Sequence, residues 1–134
     1  SRYVAGGGVV NWGLGRRILS KGGSIYARTV LGVPLNDMTG GFNAWRRSVI
    51  EAIDPNTICS DGYAFQIEMK FKAFNKGFRI KEVPIVFEDR HLGQSKMSKK
   101  IVVEAMYRVV TMKLQNLPFK KANERVPIGS AKSS

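Results

Sequence analysis

The chain has 134 residues, with 22 Lys and Arg against 10 Asp and Glu, one His, one Cys and a formal net charge of +12. At this length and 43% hydrophobic residues a single unit with a real core is expected, which argues against wholesale disorder. The lone cysteine excludes an internal disulfide, no Cys and His cluster has zinc spacing, and no uncharged run reaches the roughly 18 apolar residues of a spanning helix. A reducing, cytoplasmic setting is therefore expected, and the start at Ser1 and Arg2 without Met or signal suggests a piece of something longer.

The excess charge points to an anionic partner: nucleic acid, an anionic membrane or a phosphorylated molecule. It is unevenly spread. Arg2, Arg16, Arg17, Lys21 and Arg28 precede the first acid, Asp37, and from Arg90 onward ten basic residues face only Glu104 and Glu124. The bland reading of both basic ends is a solvated face.

In chain order, residues 2–5 read as the end of a strand, followed by the Gly6-Gly7-Gly8 turn. Residues 14–31 have helical spacing, with Leu14, Ile18, Ile25 and Thr29 as the apolar positions; Gly22 and Gly23 suggest a kink or close packing, and Gly32 and Pro34 end the helix. Residues 35–41 form a loop, 42–46 a short strand and 47–53 a short helix closed by Asp54, Pro55 and Asn56. Ser60 or Asp61 caps a helix to about Lys76 that carries Tyr63, Ile67, Phe71 and Phe74 on its apolar side. Residues 78–87 alternate as a strand, with Pro84 marking an edge or bulge. After a polar loop, Ser98 caps a helix to about Asn116 whose Ile101, Val102, Ala105, Met106, Val109 and Met112 share one side. Residues 118–134 read as a basic, disordered tail. Strands alternating with helices give an α/β class with helices packed on a sheet of three or four strands.

Four constellations carry chemistry. Arg16 and Ser20 lie four apart on one helix face after a glycine-rich turn, where a guanidinium and helix N–H groups can hold one phosphate, with Arg2 as a third donor. Asp37, Thr39, Gly40 and Gly41 can present a carboxylate to a sugar hydroxyl or a metal-bound phosphate, or Asp37 can simply bond its own turn. Asp61 is a helix cap or a second site carboxylate, and Gln66 and Glu68 do not share a helix face. In the loop 89–98, Arg90, Ser95 and Lys96 can clamp a diphosphate, while His91 reads as an exposed loop residue and Cys59 as a core residue. No Walker loop, Rossmann fingerprint, HExxH or nucleophile elbow occurs.

In order and spacing, Ser1-Arg2-Tyr3-Val4, Gly6-Gly7-Gly8-Val9, Asn11-Trp12-Gly13, Arg16 to Ser20, Asp37-Met38-Thr39-Gly40-Gly41-Phe42, Ser60-Asp61-Gly62-Tyr63-Ala64-Phe65-Gln66-Ile67-Glu68, Glu82-Val83-Pro84-Ile85, and Asp89-Arg90 through Gly93-Gln94-Ser95-Lys96-Met97-Ser98 resemble the polyprenol-phosphate (dolichol-phosphate) mannosyltransferases, inverting glycosyltransferases of family 2. The resemblance covers residues 1–117 and implies the C-terminal, acceptor-side half of a GT-A domain, a mixed sheet with packed helices. It implies mannose transfer from GDP-mannose to a polyprenyl monophosphate, with Arg2, Arg16 and Ser20 on the acceptor phosphate. Asp37, Asp61 and Arg90 would be catalytic, and Arg90, Ser95 and Lys96 would engage the donor diphosphate in a closing loop. The family's Asp-x-Asp metal motif belongs to the other half and is absent here, so Mg²⁺ or Mn²⁺ is expected to find its ligands there and this piece alone is expected to be inactive.

The lipid acceptor suggests that the C-terminal helix, with Lys99, Lys100, Arg108, Lys113, Lys120 and Lys121 around its apolar side, lies on the cytoplasmic face of an anionic membrane, against the alternative of a core helix with basic solvent-facing residues. Three other readings compete: a glucose or N-acetylglucosamine transferase of the same fold, a noncatalytic membrane-surface module, and a nucleic-acid-binding module. The last is disfavoured because Tyr63, Phe71, Phe74, Phe78 and Phe87 fall on core-like positions rather than an exposed platform.

Overall fold

A computed structural model describes residues 1–88 and 98–116. In chain order its four helices and two short strands are β1 (Gly8–Val10), α1 (Leu14–Leu31), α2 (Arg47–Ile53), a 3₁₀ turn (Pro55–Thr57), α3 (Gly62–Asn75), β2 (Val86–Glu88) and α4 (Lys99–Gln115). The strands run parallel, with Gly8 opposite Val86, Val9 opposite Phe87 and Val10 opposite Glu88. The class is α/β, but among the described residues the sheet has two strands rather than three or four.

The helices begin and end where their local chemistry dictates. Gly32, at φ 72°, closes α1 in the left-handed conformation and donates its N–H to Arg28 C=O. Asp54 ends α2, and its side chain accepts from Asn56 N–H to start the 3₁₀ turn. The Ser98 hydroxyl accepts from Ile101 N–H at 3.4 Å, the cap expected for α4. Asp61 occupies the N-cap position of α3, yet its side chain makes no capping hydrogen bond. Gly22 and Gly23 leave α1 continuous, and a β-carbon at Gly23 would lie 3.8 Å from the Thr39 methyl, so this helix face approaches the 36–40 loop closely.

The strands fall elsewhere than expected, because a strand needs a partner as well as a pattern. Residues 2–5 are not a strand: Gly7 N–H turns back onto Val4 C=O, and a β-carbon at Gly7 would lie 2.7 Å from Ser1 C=O, so only glycine fits this fold of the chain upon itself. Pairing resumes at Gly8. Residues 42–46 form no strand, and Phe42 is 84% exposed. The expected strand 78–87 shrinks to its end at Val86–Glu88, past the missing N–H of Pro84.

α3 lies at the centre and buries both sides. Ile67 and Phe71 pack with Ala27, Leu31, Val33, Leu35 and Met38 and with Val109 and Met112 of α4, while Met69 and Ala73 pack with Val49 and Ile53 of α2. The buried stripe of α1 is Ser20, Ser24, Ala27 and Leu31, not the expected Leu14, Ile18 and Ile25, which are 73%, 64% and 54% exposed. Small side chains let the helix approach its neighbours, and both serine hydroxyls find partners there. Cys59, expected in the core, is exposed. So are Phe74 and Phe87, while Tyr63 and Phe78 are half-buried and Phe71 is buried as expected. No helix among the described residues is long and apolar enough to cross a membrane.

Candidate functional site

The site is built around the loop that leaves α1. Two charged side chains hold its backbone from opposite sides. The Glu82 carboxylate accepts from Asn36 N–H at 2.9 Å and Asp37 N–H at 2.9 Å, and Lys70, on the buried side of α3, donates its ammonium to the carbonyls of Asp37, Met38 and Gly40 at 2.9, 3.1 and 2.9 Å. Met38 is fully buried in the core between these anchors. Burial pushes Lys70 down to about 8, against the opposing charges of Asp37 and Glu82 and helped by the charge of Arg2. For Glu82 burial acts upward, but hydrogen bonds from the Asn36 and Asp37 N–H groups, together with those from Ser1 and the Asn36 side chain, outweigh it and the carboxyl ends below its ordinary value.

So fixed, the loop aims Asp37 at Arg2. One carboxylate oxygen accepts from Arg2 N–H at 3.0 Å and Nε at 2.8 Å, and the other accepts from Nη2 at 2.6 Å. Both residues are buried, so the pair is a two-pronged ion pair away from solvent. Burial alone would raise the Asp37 carboxyl; the hydrogen bonds and charge of Arg2, with the charge of Lys70, bring it below the ordinary range. The same Nη2 donates to Thr39 Oγ1 at 3.1 Å, Thr39 Oγ1 lies 3.2 Å from Ser24 Oγ, and Tyr3 donates its hydroxyl to Ser20 Oγ at 2.7 Å.

Trp12 joins the arginines. The Arg16 guanidinium carbon lies 4.2 Å from the centre of the Trp12 ring, and that of Arg2 lies 5.4 Å from it and 5.2 Å from the Tyr3 ring. Phe87 meets Trp12 edge to face at 5.6 Å. An aromatic face attracts cations, which eases the approach of two like charges. The indole Nε1 is buried and has no hydrogen bond among the described residues.

Beside this cluster a groove of about 270 Å³ runs between α1 and α4, over α3. Ile18, Gly23, Tyr26, Ile67, Ala105 and Met106 are among its apolar walls. Ser20 and Thr39 line it too, so groove and cluster adjoin. The arrangement therefore sets cationic groups next to an apolar trough.

Of the residues read from the sequence as site residues, Arg2, Asp37, Arg16 and Ser20 gather around Tyr3, Trp12 and Thr39. Asp37 bonds neither its own turn nor open space; it is committed to Arg2. Asp61 is exposed at the start of α3, and Tyr63, two residues on, lines the groove. Gln66 accepts from Asn43 Nδ2 at 2.7 Å, and Glu68 pairs with Lys72 at 3.0 Å. Arg90, Ser95, Lys96 and His91 lie outside the described residues, as does the tail 118–134. No three His, Cys, Asp or Glu side chains gather as metal ligands among the described residues. Sequence reasoning missed Lys70 altogether; its signal was a lysine between Met69 and Phe71, within the apolar stretch of a helix.

Over 109 residues, 81% of its length, the chain is 50% identical to the polyprenol monophosphomannose synthase of Mycolicibacterium smegmatis and, over an equal stretch, 49% identical to the undecaprenyl-phosphate mannosyltransferase of Micrococcus luteus. These stretches are 41% and 45% of those proteins, so the chain spans less than half the length of the curated relatives it matches. No family model and no solved structure matches it. The resemblance read from the motifs is borne out: the chain is homologous to a segment of polyprenol-phosphate mannosyltransferases.

Proposed function

From this homology we propose that the whole protein transfers mannose from GDP-mannose to a polyprenyl monophosphate with inversion, and that this chain is the acceptor-side, C-terminal half of its GT-A domain. The observation that carries the proposal is the junction of the Arg2, Arg16 and Ser20 cluster with the apolar groove between α1 and α4. An anion fused to a hydrocarbon chain is the ligand that such a junction suits.

The chemistry asks little of a base. A phosphate monoester has a second pKa of about 6, so the attacking oxygen is already ionised near neutral pH. In the proposed reaction that oxygen forms a bond to the anomeric carbon of mannose while the bond from that carbon to the nucleotide diphosphate breaks, and GDP departs with the electron pair. What this chain supplies is position and positive charge. Arg2 spends Nε and Nη2 on Asp37 and Thr39, so its share of the phosphate falls to Nη1. Arg16, stacked on Trp12 in the first turn of α1, and the Ser20 hydroxyl one turn later complete the acceptor set. Arg90, Ser95 and Lys96 are assigned to the donor diphosphate and Asp61 to the sugar. Following the resemblance, Mg²⁺ or Mn²⁺ is assigned to ligands in the other half of the protein; among the described residues no three His, Cys, Asp or Glu side chains gather as metal ligands.

The test is a donor assay on the whole protein. GDP-mannose should be consumed with polyprenyl phosphate as acceptor, chelation should stop the reaction, and Mg²⁺ or Mn²⁺ should restore it. Preference for UDP-glucose or UDP-N-acetylglucosamine would leave the acceptor assignment standing and replace the donor.

The same reading places the protein on an anionic membrane. α1 exposes Leu14, Ile18 and Ile25 among Arg17, Lys21 and Arg28, and α4 exposes Val103, Tyr107, Val110 and Leu114 with Lys99, Lys100 and Lys113. Apolar residues flanked by lysine and arginine suit the interface of such a bilayer. Co-sedimentation with liposomes should rise with anionic lipid and fall with salt; binding indifferent to both would sink this part of the proposal.

A further inference from the structure

We propose that Lys70 is a positioning residue for the acceptor phosphate: through the carbonyls of Asp37, Met38 and Gly40 it sets the loop that orients Arg2. This rests on the acceptor reading above and adds to it a residue that makes no contact with substrate.

The geometry is specific. Three backbone carbonyls of one short loop converge on a single ammonium, and an ammonium brings three donors. The side chain comes from α3 and is 5% exposed, among Ile67, Met69 and Phe71, where packing alone would favour an apolar residue. The opposite side of the loop is held by Glu82 through the N–H groups of Asn36 and Asp37. One charged group takes the carbonyls and the other the amides, so the loop has little freedom.

Its outputs all lead to the cluster. Asp37 holds Arg2 by three hydrogen bonds, and Thr39 accepts from Arg2 and meets Ser24. Arg2 in turn stacks near Trp12, on which Arg16 lies. A loosened loop therefore reaches the acceptor phosphate through Arg2.

Titration of Lys70 gives a second handle. The charged groups acting on it are Asp37 from the loop, Arg2 from the N-terminal segment and Glu82 from the segment before β2. With Lys70 held near 8, a rise of pH through that value leaves a neutral amine with two donors for three carbonyls. The acceptor phosphate is already a dianion there and does not change.

The test is steady-state kinetics of the whole protein, varying polyprenyl phosphate and the sugar nucleotide separately, for wild type, Lys70→Met and Glu82→Gln. A displacement of about 1 Å at a binding group can cost up to about a hundredfold, so Lys70→Met should raise the acceptor KM about ten- to a hundredfold and leave the donor KM within about twofold. Glu82→Gln should move the acceptor KM in the same direction by less. In wild type the acceptor KM should climb above pH 8, a limb that Lys70→Met lacks. If Lys70→Met does not fold, as judged by circular dichroism and its melting curve, the Glu82→Gln kinetics and the wild-type pH limb decide the matter. An active, folded Lys70→Met with unchanged acceptor KM, an equal rise in both KM values, or a flat wild-type profile overturns the role of Lys70 alone. A wild type that does not use polyprenyl phosphate overturns the acceptor reading, and the role of Lys70 with it.

Discussion

Replacing Asp37 by alanine in the whole protein is expected to remove about 3–5 kcal/mol of folding stability, measured by urea unfolding. The loss comes from what remains behind. Arg2 would keep a buried guanidinium without its counter-charge, and Lys70 would lose one of the two carboxylates, Asp37 and Glu82, that favour its charged form. Removing both members as Arg2→Met with Asp37→Leu should recover most of that loss, because neither desolvated charge then needs a partner. The pH dependence has a definite sign. The Asp37 carboxyl is lower in the folded protein than its ordinary value, so its contribution is fully present above the unfolded value of about 3.9 and disappears as pH falls through the folded value. The stability curves of wild type and Asp37→Ala should therefore converge in acid; parallel curves down to the acid transition would refute the assignment.

The second large effect concerns the groove. Ala105 lines it from α4, and Ala105→Trp should put an indole where the proposed lipid chain would lie. Excluding one isoprene unit forfeits roughly 2–3 kcal/mol at about 25 cal/mol per Å² of apolar surface, or on the order of a hundredfold in affinity. The KM for a long-chain polyprenyl phosphate should rise accordingly, while a phosphate bearing one or two isoprene units should be much less affected. Arg16→Ala is the contrasting change. It acts on the phosphate common to both acceptors and should raise the two KM values alike. An Ala105→Trp enzyme that treats long and short acceptors as wild type does would remove the lipid chain from the groove.

How much of this was readable beforehand depended on how local each cause is. Helix limits are set within a turn or two by caps and breakers, so α1, α2 and α4 begin and end where Gly32, Asp54 and Ser98 indicate, and α3 ends within a residue of the expected Lys76. Strand positions are not local: pairing joins residues 8–10 to 86–88, far apart in sequence, and Pro84 and Gly7 confine it to those ends. The buried face of α1 departs from the apolar spacing because it is made by Ser20, Ser24, Ala27 and Leu31, and the partners of the two serine hydroxyls lie in other segments. Arg2, Arg16 and Ser20 were recognisable from residue type, spacing and resemblance, and they do cluster. The pairing of Arg2 with Asp37 and the reach of Lys70 to that loop are tertiary facts without a local pattern.

Met38 ties these two layers together. It belongs to the 36–40 loop, yet its side chain is wholly enclosed with Ile67, Phe71, Val109 and Met112. Packing quality and the proposed acceptor recognition therefore share one short piece of backbone and cannot be tuned apart. An engineer who repacks α3 against α4 for heat resistance, without touching a charged residue, would also reset the distance between Asp37 and Arg2, and selection for a different acceptor could be answered by substitutions deep in the interior.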